Sequence, residues 1–176
     1  MRNLFERCII VYKANKEKGF WSSSRTLDDV CELIMSEAAE SLEGKRKGLM
    51  DDKIPEYPMD AMELADIIIR CMDALGGWIE GDLNCVKSYD KYSKHQKINF
   101  NDIYDNIHIS CDRLMDIMRV ISDASKGFTP IELLEVIKMC NFLLGDWYGV
   151  KYDMEEMIQK KLAFNSSRPY KHGKKF

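Results

Sequence analysis

Residues 59 to 78 are apolar on almost every side, with Ala61, Met62, Leu64, Ala65, Ile67, Ile68, Ile69, Met72 and Leu75 distributed around the whole helical wheel. A helix of this kind has to be buried, so other elements of the chain must surround it. The residues that interrupt it, Glu63, Asp66, Arg70 and Asp73, recur at i, i+3, i+7 and i+10 and form one narrow polar stripe. An acidic stripe alone reads as the solvated face of an otherwise buried helix.

Glu37 argues against that reading. From Thr26 a second amphipathic segment begins, with Asp29 three residues on in the manner of a capping box. Its core-facing residues Val30, Leu33, Ile34, Ala38 and Ser41 share their face with Glu37. A lone acid on a buried face is costly and demands a metal, a base or a proton. Glu37 and Glu40 are three apart, as are Glu63 and Asp66, so each pair stacks on one helix face. Antiparallel packing of helices 27–47 and 59–78 then converges four carboxylates, an oxygen-only set that suits Mg²⁺, with Mn²⁺ as its substitute, over zinc or iron.

The rest of the chain has the helical period as well. Residues 3 to 18 read as a helix, Gly19-Phe20-Trp21-Ser22-Ser23-Ser24 as a loop, and 100–124 and 130–149 as two more helices. No strand pattern competes, so the expected fold class is all-α: a helical bundle in a single domain over 1–176. Within it, 27–80 is the catalytic pair, 100–149 a second pair, and 150–176 a helix end and basic tail. Glu63 to Trp78 lies over Glu132 to Trp147 without a gap, and Glu63/Glu132, Leu64/Leu133, Cys71/Cys140, Leu75/Leu144, Gly76/Gly145 and Trp78/Trp147 are identical. Leu27 to Arg46 aligns more weakly over Phe100 to Arg119, with Ser110 and Arg113 where Glu37 and Glu40 stand. The second pair reads as a degenerate copy of the first, with Glu132 and Glu135 as its remnant acids.

A net charge of −3 gives no general drive toward nucleic acid or anionic membrane, and no apolar run reaches membrane-spanning length. The six cysteines, scattered without a CxxC pair, read as reduced thiols of a cytoplasmic protein. No P-loop is present, and none of His95, His108 and His172 is followed by Asp or preceded by Glu at three residues, which removes His-Asp phosphohydrolase and di-iron chemistry.

Together, Gly19-Phe20-Trp21 with Arg25, Ile34 to Glu43, Glu63 to Arg70, and the tail Lys161 to Phe176 resemble the MazG-like all-α nucleoside triphosphate pyrophosphohydrolases, helical relatives of the dimeric dUTPases. The resemblance covers both ends and the first half; some seventy residues between them exceed the family's short forms, which the duplication would explain. It implies hydrolysis of a (deoxy)nucleoside triphosphate to monophosphate and pyrophosphate, in nucleotide-pool housekeeping, by a homodimer or higher homo-oligomer. It further implies Mg²⁺ held by Glu37, Glu40, Glu63 and Asp66, with Glu37 or Glu40 also orienting the attacking water and Glu43 close by. By the same resemblance Lys161, Asn165 and Arg168 contact phosphates or sugar, and Tyr170, Lys171 and His172 fold over the site. Trp21 reads equally as a platform for a base or as a packing anchor. The alternative to an enzyme is a non-catalytic helical module that kept the fold and binds nucleotide or a protein partner.

Overall fold

A computed structural model describes residues 3–23, 25–84, 99–109, 111–124 and 130–170. The chain is all-α. Its helices are α1 (Leu4–Glu17), α2 (Leu27–Lys47), α3 (Met59–Glu80), α4 (Phe100–Asn106), α5 (Leu114–Ala124), α6 (Pro130–Tyr148) and α7 (Met154–Ser167). Among the described residues, two short strands, β1 (Arg25–Thr26) and β2 (Leu83–Asn84), run parallel with Arg25 opposite Leu83 and Thr26 opposite Asn84, and Met50 forms an isolated antiparallel bridge with Pro58. The parallel ladder ties the entrance of α2 to the exit of α3.

The all-round apolar segment is the central element. α3 packs against α1, α2, α6 and α7, and Met62, Leu64, Ile67, Ile68, Met72 and Leu75 are fully enclosed. Each such side chain contributes at most about 1.5–3 kcal/mol by leaving water. The approach of α1 is close enough that a Cβ at Gly76 would lie 2.3 Å from the Cys8 carbonyl oxygen. The α2 capping box is present: Asp29 N–H donates to Thr26 Oγ1 (3.2 Å) and Thr26 N–H to Asp29 Oδ2 (2.7 Å). No helix among the described residues is long and apolar enough to cross a membrane.

One expectation is corrected. Residues 100–124 hold two helices, because Ile107 turns to extended backbone and the described residues 107–109 and 111–113 are non-helical. Tertiary contacts stabilise the break. From α6, Lys138 Nζ donates to the Tyr104 and Ile107 carbonyls at 2.8 Å, and Asp116 caps α5 by accepting from the N–H groups of Asp112 and Arg113. The segment aligned with α2 therefore crosses a helix break; Arg113 is exposed just before α5, and Ser110 lies outside the described residues. α3 and α6, the closely matching segments, are both helical. At the chain end α7 runs to Ser167 and so takes Lys161 and Asn165 into a helix. Asp153 caps its start, accepting from Glu156 N–H at 2.9 Å, and Pro169 ends it by holding Arg168 extended.

Candidate metal centre

α2 turns Glu37 toward α3, and α3 presents Glu63 and Asp66 in return. One carboxylate oxygen from each of these three residues lies within 4.8 Å of the others. Glu63 is 5% exposed and Glu37 9%. Glu40 is not one of the trio. Positions three apart on a helix differ by some 60° of rotation, which leaves Glu40 exposed on the rim, where it accepts from Ser36 Oγ at 3.5 Å. The expected four-acid convergence is thus three acids with a fourth beside them. Glu43 is exposed and ion-paired with Lys47.

Among the described residues, Arg70 and Lys161 face the acids. Arg70, on the same stripe of α3, donates from Nε (3.1 Å) and Nη2 (2.9 Å) to Glu37 Oε1. From α7, Lys161 Nζ lies 2.9 Å from Asp66 Oδ2 and 3.0 Å from Asp51 Oδ2, with only 6% of the residue exposed. Asp51 is a site residue that sequence reasoning passed over. Its Oδ1 accepts from the N–H groups of Lys53 (2.9 Å) and Ile54 (2.7 Å), which fixes the loop between α2 and α3. The signal was an Asp opening a turn shortly before Pro55, a position where such side chains bond their own backbone.

Burial and mutual repulsion dominate the electrostatics. Burial, then Asp66, pushes the Glu63 carboxyl up to about 9; Lys161 opposes the rise, while Glu37 and Glu40 add to it. Asp66 is pushed up to about 6 by burial, moderated by Lys161. Burial works against the charged forms of Arg70 and Lys161 too, but the acids outweigh it and hold both above their ordinary values. A buried carboxyl carrying a proton near neutral pH marks a place where more positive charge would be favourable. The donors are oxygens only, with no His or Cys among them, so the set fits a hard divalent cation such as Mg²⁺ or Mn²⁺.

Farther along the α3 stripe, Asp73 accepts from Trp21 Nε1 (2.9 Å) and from Arg25 Nη1 (3.1 Å). The Trp21 ring meets Tyr12 edge-on, lies under the Arg25 guanidinium and abuts Gly77. Of its two sequence readings, the base platform is corrected to the packing anchor, because the ring is 9% exposed and its faces are engaged by protein. Trp21→Phe keeps an aromatic side chain but loses part of the packed indole and removes the N–H donor from a buried carboxylate, which is expected to cost at least about 1–3 kcal/mol. The urea unfolding midpoint measures this; an unchanged midpoint contradicts it.

Asn165 is half-buried one turn beyond Lys161, and Arg168 stacks its guanidinium over Phe164 at 5.8 Å. Tyr170 is 62% exposed, yet its ring covers Gly19, where φ is +84° and a Cβ would meet it at 2.1 Å. Lys18 Nζ donates to the Ser166 and Arg168 carbonyls, both at 2.7 Å, and ties the end of α7 to the same corner. Lys171 and His172 lie outside the described residues, as do His95 and Cys85. On α6, Glu135 is half-buried and held above its ordinary value by burial and by Glu132. Burial pushes Cys31 and Cys111 up to about 11 and Cys8 up to about 12, and raises Cys71 and Cys140 strongly, so none of these thiols supplies a thiolate nucleophile. No family model, curated protein or solved structure matches this chain.

Proposed function

We propose that this chain is a MazG-like pyrophosphohydrolase that cleaves a (deoxy)nucleoside triphosphate between its α and β phosphates, using a divalent cation held by Glu37, Glu63 and Asp66. The observation that carries the reading is the convergence of these three carboxylates at a site short of positive charge. A triphosphate is inert and strongly anionic, so its hydrolysis needs charge neutralisation and an oriented water. The cation, when bound, supplies the first by Lewis-acid polarisation of phosphate oxygens. The side chains supply the rest. Arg70 fixes Glu37 through two bonds to one oxygen, which holds that carboxylate toward the acids of α3. Glu40, exposed beside the trio, is better disposed than the Arg70-bound Glu37 to orient water or accept its proton. Lys161, 2.9 Å from Asp66, is a cation beside the acids that can donate to a phosphate oxygen, and Asn165 follows it on α7. A homo-oligomer and a cytoplasmic setting go with this reading.

A second reading has its own observation. Arg70 and Lys161 already neutralise Glu37 and Asp66, and such a network can serve the fold of a non-catalytic module without any metal. Pyrophosphate release from a panel of nucleoside triphosphates with Mg²⁺ separates the two. The expected outcome is turnover of at least one triphosphate, abolished by EDTA and lowered about a hundredfold or more in Glu37→Gln and Asp66→Asn. No turnover on any triphosphate, or unchanged rates in both variants, would sink the enzyme reading.

A further inference from the structure

We propose that Lys161 is the counter-ion built into this site, competing with the divalent cation for Asp66 while Asp51 retains the amine. The inference rests on the metal reading above and concerns how that site is regulated. Three features support it. The ammonium is buried and shared almost equally between Asp66 Oδ2 at 2.9 Å and Asp51 Oδ2 at 3.0 Å. Asp51 cannot follow the amine, because two backbone N–H groups lock its other oxygen. Asp66 belongs to the trio of converging oxygens whereas Asp51 does not, so the amine is held on one side by a prospective metal ligand and on the other by a fixed anchor.

The consequence is an exchange of charges. With no metal, the Lys161 ammonium keeps the half-buried Asp66 carboxylate from standing unpaired beside Glu37 and Glu63, a state that is unfavourable. When a divalent cation takes Asp66, the amine loses one of its two acids and keeps the other, so its own charge is not stranded. It is then a donor released toward the substrate's phosphate oxygens, next to the cation. Lys160, the preceding residue, is a natural control. It carries the same charge but is paired at the surface with Glu56 (3.0 Å) and Glu156 (3.1 Å).

The test is Mn²⁺ titration of the full chain, followed by calorimetry or electron paramagnetic resonance, without nucleotide. Lys161→Met, which removes the competitor, is expected to tighten Mn²⁺ binding about tenfold or more. Asp51→Asn presents an amide N–H₂ to the amine and drives it onto Asp66, so it is expected to weaken binding severalfold. Lys160→Met is expected to change it by less than about twofold. Equal affinity in Lys161→Met and the wild type, or an equal gain in Lys160→Met, overturns the inference and leaves the metal site standing. Absence of Mn²⁺ binding by the wild type overturns the metal reading and this inference with it. If Lys161→Met fails the thermal-unfolding check, Asp51→Asn decides: unchanged or tighter Mn²⁺ binding overturns the competition.

Discussion

Glu63→Gln is expected to lower the proposed pyrophosphate release about a thousandfold yet to make the metal-free protein more stable at neutral and alkaline pH. The two effects share one cause, the enclosure of Glu63 among acids. Its carboxyl is pushed up to about 9 from an ordinary 4.5, first by burial and then by Asp66. The folded chain therefore holds this proton more tightly than the unfolded chain does. Between pH values near 4.5 and 9 the unfolded state has released the proton while the folded state keeps it, so stability falls as pH rises through that window. Asp66, raised to about 6, adds a smaller slope of the same sign at the acid end. Glutamine is neutral at every pH and close in shape, so the variant loses the Glu63 part of the slope. On the proposed metal reading it also loses an anionic ligand, and losing several kcal/mol of metal-borne stabilisation is expected to lower the rate about a thousandfold. Urea midpoints in EDTA across pH 5 to 9 measure the first effect and pyrophosphate release the second. Parallel pH profiles for the two proteins, or activity retained in the variant, would contradict the assignment.

Gly76→Ala is expected to unfold the bundle's centre at a cost of about 3 kcal/mol, although alanine favours a helix over glycine by about 1 kcal/mol. The new Cβ would lie 2.3 Å from the Cys8 carbonyl oxygen and 2.4 Å from the Tyr12 Cβ, so α1 would have to move off α3. Backbone cannot rotate away as a flexible side chain can. Gly145, which lies over Gly76 when the α3 and α6 sequences are aligned, has open space at the same point. Gly145→Ala is therefore expected to stabilise by about 0.5–1 kcal/mol. Urea denaturation of the two variants reads the difference, and shifts of the same sign would refute the packing argument. The identity of these glycines thus has a packing reason in the first helix pair alone.

Much of this was legible in the sequence because periodicity and local capping are local properties. The all-round apolar pattern of 59–78 gave α3 its central place, and Thr26 with Asp29 marked the start of α2. Three of the four expected ligands converge because the Glu37 face of α2 and the Glu63–Asp66 stripe of α3 follow directly from helical spacing. Glu40 misses because spacing gives a shared face only to within a broad arc. The break at Ile107 could not be read, since the amine that caps α4 comes from Lys138, 31 residues away in sequence. Asp51 escaped for a similar reason: its partner Lys161 is 110 positions on, and only the docking of α7 brings them together. Arg70 was visible on the stripe, but its partner on α2 was not. Trp21 was ambiguous until Asp73 and Gly77 were seen to receive it.

The most direct test of the central claim is ³¹P nuclear magnetic resonance of a nucleoside triphosphate panel incubated with the purified chain and Mg²⁺. The expected result is conversion of at least one triphosphate to monophosphate and pyrophosphate in equal amounts, with no diphosphate intermediate, and none of it in Glu63→Gln. Orthophosphate with nucleoside diphosphate would place cleavage at the other anhydride, and an unchanged spectrum for every triphosphate would remove the enzyme; either contradicts the claim.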